Sequence, residues 1–300
     1  MANKETNFVD RMQKLDRRVI FVLIWLAVVI PMLMKLEFPV RPSPVVEGIF
    51  DKVESLPSGS IVLMSFDYGP ATVPENEPMG DALLYHCMLK NHKVYIMALW
   101  PTGEAEANRA IERVITNKFL DKRYGKDYIQ LGFKAGNQGL INAIYSDLKG
   151  MYTTDAAGVD INTFAMMKDV NKLTDFDIIL GVCSGRPGLK EWVQFAGDRG
   201  NIPVAGGVTA VEAPLLYPYY PSQLLGLMGG LQGAAELQAA LGNKYPEYTE
   251  YVKASAGSVN AVRNMGPQTI AHLVIIFFVV IGNIGFFIQQ RRKKQERVGL

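Results

Sequence analysis

Five short polar clusters in this 300-residue sequence hold the residue types from which a small-molecule site is built. Each follows an apolar run: Asp67, Tyr68 and Gly69; Trp100, Pro101 and Thr102; Lys134, Gly136 and Asn137; Cys183, Ser184, Gly185 and Arg186; and Gly206, Gly207 and Thr209. Asp67 can accept a hydrogen bond from a ligand hydroxyl or ammonium, or from Lys134 or Arg186. Ser184 and Thr209 add hydroxyls, and Tyr68 and Trp100 add an aromatic wall. The ligand-binding candidates are therefore Asp67, Tyr68, Trp100, Lys134, Ser184, Arg186 and Thr209.

The stretch SFDYGPATVPENEPMGDALLYH, residues 65–86, sharpens the chemistry. In a nucleotide-binding α/β unit the turn after the first strand is rich in glycine, so that backbone N–H groups close around phosphate. Here the same place carries Asp67, Glu75 and Glu77, and like charges repel at close range. Dinucleotide binding is disfavoured and no cofactor is expected.

Catalytic groupings are weaker. Ser184 in VCSGRPG sits where a strand turns toward a helix, but the pattern is not G-x-S-x-G. The three histidines are His86, His92 and His272; the last lies in an apolar segment and the other two lie toward the opposite end of the sheet. Cys183 as a nucleophile lacks a base for the same reason. His86 and Cys87 are adjacent and cannot share a helix face, and the acids follow no calcium-loop spacing, so no metal site is expected. A carboxylate mechanism survives these objections, which keeps an anchored hydrolase or transferase as the alternative to a binding protein.

The elements that must position these residues are legible as alternation. Strand-like runs cover residues 60–66, 94–99, 128–133, 177–182 and 203–208, separated by helix-like stretches at 79–90, 104–124, 138–148 and 189–199. That order implies an α/β fold, doubly wound around a mostly parallel sheet, Rossmann-like or flavodoxin-like. Ligands in such sheets sit beyond the carboxyl ends of the strands, where all five polar clusters fall. The two cysteines, Cys87 and Cys183, occupy apolar patterns suited to buried thiols.

The sheet is expected between two transmembrane helices. Residues 19–34, VIFVLIWLAVVIPMLM, carry no charge, and Leu36, Phe38 and Val40 extend the run while Lys35 and Glu37 snorkel. Residues 269–288 are equally free of charge and are stopped by QQRRKK. Basic tails adjoin both: residues 1–18 hold five Lys/Arg against three acids, and residues 291–300 hold five against one. The positive-inside rule puts both tails in the cytoplasm of a two-pass cell-membrane protein. The middle, residues 41–268, has 20 basic and 24 acidic residues, net −4, and lies outside the cytoplasm. With a net charge of only +2 overall, nucleic acid is not an expected partner. The expected division is a tail (1–18), a span (19–40), a linker with an amphipathic helix (41–58), the α/β domain (59–242), a membrane-proximal connector (243–268), a second span (269–288) and a tail (289–300).

Assembly surfaces are suggested by residues 207–238. Tyr217, Tyr219 and Tyr220 alternate with prolines to give rigid aromatic surface, and Gly226, Gly229, Gly230 and Gly233 form a small-residue stripe at helical spacing. In the second apolar segment Gly282 and Gly285 permit close helix approach, and Asn283 is a polar group that seeks another helix. These features suggest a homo-oligomer or a complex with other membrane subunits, in which the domain binds a ligand or acts as a scaffold. The lack of a histidine in the strand-end loops favours binding over catalysis.

Overall fold

The computed structural model describes residues 16–255 and 257–298. They fall into two units, one of Met1–Phe38 with Arg263–Leu300 and one of Pro39–Val262. In the first unit, Asp16 caps helix α1 (Arg17–Leu33) by accepting the Arg18 N–H at 2.9 Å. The sequence pattern carries this segment to residue 40, but the helix stops at Leu33: Lys35 is left-handed at φ 52 and the Leu36 N–H turns back onto the Pro31 carbonyl. Its 17 residues make about 25 Å at 1.5 Å per residue, short of a hydrocarbon core of roughly 30 Å.

In the second unit Val46, Ile49 and Val53 place one buried stripe on α2 (Pro44–Ser55). Strands and helices then alternate: β1 (Ile61–Asp67), α3 (Val73–Leu89), β2 (Lys93–Ala98), α4 (Gly103–Ala110) running into a π-helical turn (Ile111–Thr116), and β3 (Tyr128–Phe133). Helices α5 (Gln138–Ser146) and α6 (Leu148–Met151) lead by short turns to β4 (Ile178–Cys183). There follow α7 (Leu189–Trp192), α8 (Asp198–Gly200), β5 (Val204–Val208), α9 (Ala213–Leu216), β6 (Leu227–Gly229), α10 (Gly230–Lys244) and α11 (Pro246–Ala254).

The six strands form one parallel sheet in the order β3-β2-β1-β4-β5-β6. Successive side chains of a strand point to opposite faces, and here both sets are buried. Leu63, Tyr95, Met97, Ile179 and Val204 join the cluster around Trp192, while Val62, Met64, Val94, Ile96 and Leu180 are also inaccessible. The fold is α/β, as the alternation implied.

Two local expectations change. Residues 73–78 form the start of α3 rather than a loop: Pro74 falls in its first turn, where a backbone N–H would have no intrahelical partner, and Pro78 lies inside the helix, where it forgoes the bond to the residue 74 carbonyl. Glu75 and Glu77 are thus helical. The small-residue stripe is not one helical face, because Gly226 precedes β6, Gly229 ends it, and only Gly230 and Gly233 belong to α10. Cys87 and Cys183 are buried and free, in keeping with their apolar sequence patterns.

Helix α10 holds both ends of this unit. Glu236 accepts the Ser43 N–H at 3.0 Å, just before α2, and the Ser43 hydroxyl. Two residues on, Gln238 donates to the Val259 carbonyl and accepts the Ala261 N–H at 2.9 Å. From Ala261 the chain continues as α12 (Ala261–Val298), of which Ala261–Arg291 is long and apolar enough to cross a membrane. Among the described residues it is the one helix of that kind, where two were expected.

Candidate functional site

The chain leaves β1 toward β2 on one side and reaches β4 on the other, so the order reverses between β1 and β4 and the loops after them diverge. Asp67 ends β1 at this point and Ser184 follows β4; the Ser184 N–H donates to the Asp67 carbonyl at 3.0 Å. These two candidates are neighbours despite their separation in sequence.

The Asp67 side chain is fully buried and serves its own chain. Its oxygens accept from the Leu99 N–H at 2.7 Å, the Ser65 hydroxyl at 2.8 Å, the Trp192 indole N–H at 3.1 Å and the Cys183 thiol at 3.6 Å. Burial pushes the carboxyl up to about 6, against the pull of Leu99, Ser65, Trp192 and Cys183. The same burial, with Asp67 next to it, raises the Cys183 thiol well above its ordinary value, which disfavours the thiolate. Asp67 ties the ends of β1, β2 and β4 to α7.

The other candidates separate into two groups. Trp100 stays at the strand ends, its indole donating to the Pro187 carbonyl at 2.7 Å. Ser184 is half-buried, and Arg186 is exposed on the same loop. Thr209, just past β5, is 3 % exposed. By contrast, Tyr68 turns into the helical layer: burial first, then Asp81, Glu106 and Glu77, push its phenol well above the usual range, and Arg113 opposes them. Lys134 is drawn aside to the Met151 carbonyl, with its ammonium 5.0 Å from the centre of the Tyr152 ring.

Two polar residues absent from the sequence candidates complete the edge. Asn76, in the second turn of α3, is fully buried and donates from Nδ2 to the Cys183 carbonyl at 3.0 Å. Glu212 lies in the turn after β5, where its own N–H and that of Ala213 return to the Thr209 carbonyl at 3.0 and 3.1 Å. Burial raises the Glu212 carboxyl, Glu191 raises it further, and Arg186 opposes them. Asn76 Oδ1, Thr209 Oγ1 and Glu212 Oε2 are buried atoms with no hydrogen-bond partner among the described residues. Glu75 joins the two sides of the edge by accepting the Ala210 N–H at 2.8 Å. The sequence did carry a signal for Asn76, which stands between two acids in the quoted stretch; read as loop, it had no assigned direction.

The histidines lie away from this edge. His86 Nε2 is 2.8 Å from Glu54, and His92 Nε2 is 3.2 Å from the Val53 carbonyl, before β2 begins. Burial lowers His86 to about 4 despite Glu54, which makes the contact a hydrogen bond of a neutral imidazole. No Ser–His pair forms with Ser184 among the described residues. Nor do three or more His, Cys, Asp or Glu side chains there gather in a way that could hold a metal ion.

The residues read as assembly surface are partly used within the chain. A Cβ at Gly226 would stand 2.6 Å from the Val45 carbonyl oxygen of α2, and one at Gly233 would stand 2.6 Å from the Met228 backbone. Gly230, at φ +61, faces Ala210 and Glu75. Gly229, Gly233 and Tyr217 line a cavity of about 250 Å³ with Ser43 and Glu236. Tyr217 is 50 % exposed, while Tyr219 and Tyr220 are half-buried and the Tyr219 hydroxyl accepts from Gln194 at 2.9 Å. In α12, Asn283 donates back to the Val279 carbonyl at 2.8 Å, Gly282 has open space where a Cβ would lie, and Gly285 is buried.

A scan against protein-family models and a comparison with curated proteins found no match to this sequence.

Proposed function

We propose that this chain is a membrane-anchored α/β domain that binds a small molecule at the carboxyl edge of its sheet, as the ligand-binding subunit of a membrane assembly. The observation that carries the reading is the set of buried polar atoms without partners, Asn76 Oδ1, Thr209 Oγ1 and Glu212 Oε2, at the edge where the strand order reverses. Leaving such groups unsatisfied costs about 1–3 kcal/mol each. The order 3-2-1-4-5-6 is that of the doubly wound dinucleotide-binding fold, whose ligands occupy this edge. Its glycine-rich phosphate turn is here replaced by Pro70, Glu75 and Asn76, which supports a ligand other than a dinucleotide.

The membrane reading draws on the apolar segment Ala261–Arg291 and on α1, whose Phe21, Trp25 and Leu33 are exposed. Seventeen residues is the lower limit for a spanning helix, and snorkelling or local thinning of the bilayer accommodates one that short. Helix α10 holds Ser43 near the start and Ala261 near the end of the second unit through Glu236 and Gln238, so one element secures both ends of that unit. Exposed Val211, Leu215 and Tyr217 offer apolar surface for a further subunit.

The test is thermal-shift screening of the full chain in mild detergent against a library of polar metabolites, with hits repeated on Thr209→Val. The expected hits lose their shift in the variant. If the library contains none, or if the hits are indifferent to Thr209→Val, binding at this edge is wrong.

A further inference from the structure

A cavity of about 650 Å³ opens between the π-helical turn and α11, and none of its lining residues belongs to the strand-end loops. Its volume falls among those of small-molecule sites, roughly 300–1,000 Å³. A π turn closes bonds from residue i to i+5, so Asn117 and Lys118, four and five positions beyond Arg113, both follow it to this cavity. Glu250 comes to it from α11, and Tyr251 and Val259, both buried, add apolar surface. Asn117, Lys118 and Glu250 are exposed, so a ligand entering the cavity reaches them.

The charges around the cavity fall into two kinds. That of Arg113 is met inside the chain: Asp81 accepts from its Nε and Nη2 at 2.7 and 2.8 Å, and Glu77 lies 3.1 Å from its Nη1. Lys118 and Glu250 line the same cavity, yet they pair neither with each other nor with any other described residue. One ammonium and one carboxylate therefore remain for a ligand. A simple anion would meet Lys118 but be repelled by Glu250, and a simple cation would meet the reverse. A zwitterion answers both, with anionic oxygens on Lys118 and the Asn117 amide N–H groups and an ammonium on Glu250.

We propose that this cavity holds the head of a zwitterionic phospholipid, a phosphate joined to a primary ammonium. The lipid source rests on the membrane part of the reading above and not on the sheet edge. Val259 stands two residues before Ala261, where α12 begins, so the cavity belongs to the part of the domain from which the apolar segment departs along the chain. Tyr251 and Val259 offer apolar surface to the carbons that follow the head.

The probes are phosphatidylethanolamine; phosphatidylglycerol, which has the phosphate without the ammonium; and water-soluble glycerophosphoethanolamine, which has the head without acyl chains. Equal amounts are offered to the full chain in mild detergent, and bound copies are counted by native mass spectrometry. Phosphatidylethanolamine is expected to bind roughly fivefold more tightly than phosphatidylglycerol, the upper end for one exposed ion pair, and far more tightly than glycerophosphoethanolamine. Glu250→Gln is expected to erase the preference between the two lipids, and Lys118→Gln to weaken both by roughly fivefold. Lys168→Gln, in the turns before β4 and outside the cavity, is expected to leave all binding unchanged. Neither Lys118 nor Glu250 has an ion-pair partner to lose among the described residues, so both variants are expected to keep the wild-type melting temperature. Equal binding of the two lipids by wild type, or a preference that survives Glu250→Gln, overturns the zwitterion. Glycerophosphoethanolamine binding as tightly as phosphatidylethanolamine overturns the bilayer as the source. Absence of lipid binding overturns the site and leaves the metabolite screen untouched, since that screen reads the sheet edge through Thr209→Val.

Discussion

Burial raises the Asp67 carboxyl to about 6, yet both of its oxygens are filled by donors from three strand ends and a helix. An amide at this position would turn its NH₂ toward the Leu99 or Trp192 N–H. Asp67→Asn is therefore expected to cost about 1–3 kcal/mol. Its pH dependence has a definite sign. The folded carboxyl holds its proton up to about 6 and the unfolded one only to 3.8. Between those values the native state binds more protons, so the wild-type contribution is present below pH 3.8 and is lost as pH rises through 6. The penalty of Asp67→Asn should be larger at pH 4 than at pH 7, as read from melting temperatures of both proteins. Equal penalties would mean that the carboxyl titrates normally and is not isolated from water.

At the scale of elements, α2 packs closely against the strand edge. Gly226 meets Ile49 and the Val45 carbonyl, and Gly48 meets the Leu225 carbonyl, so two glycines let the backbones touch. Gly226→Ala puts a methyl against main chain that cannot rotate away, and a loss of about 1–3 kcal/mol is expected. A melting temperature within a degree or so of wild type would show that α2 is free to shift. The five strands with apolar runs could be read from sequence because each is short, buried on both faces and followed by a turn signal. β6 could not: its three residues, Leu227–Gly229, sit among glycines whose spacing imitates a helix. The start of α3 was hidden by Pro74 and Pro78, which signal a loop unless their place in the first turns is known. The same gap explains the site. Strand ends placed Asp67, Ser184 and Thr209 at one edge, but whether a side chain faces outward or its own chain depends on three-dimensional partners, as Asp67 and Lys134 show. Asn76 and Glu212 became visible only when α3 and the turn after β5 were fixed in space.

For the whole molecule, the proposed two-pass arrangement makes a directional prediction. A reporter active only outside the cytoplasm, inserted at the exposed turn around Gly158, should work, and the same reporter fused to the carboxyl terminus should be silent. Activity at the terminus would remove the second crossing and leave a single anchor.

The attachment of Ser43 to Glu236 also sets an order of events during synthesis, because those residues are 193 positions apart. Ser43 and α2 leave the ribosome long before Glu236, which secures the start of α2, has been made. Contacts so distant in sequence close late, since the intervening loop must first be ordered. Until β6 and α10 emerge, α2 has neither Glu236 at its start nor the β6 edge beneath it, and its Val46, Ile49 and Val53 stripe lacks that cover. A nascent chain halted before residue 227 therefore holds five strands of an unsealed sheet, and must be shielded from aggregation until β6 and α10 arrive to close it.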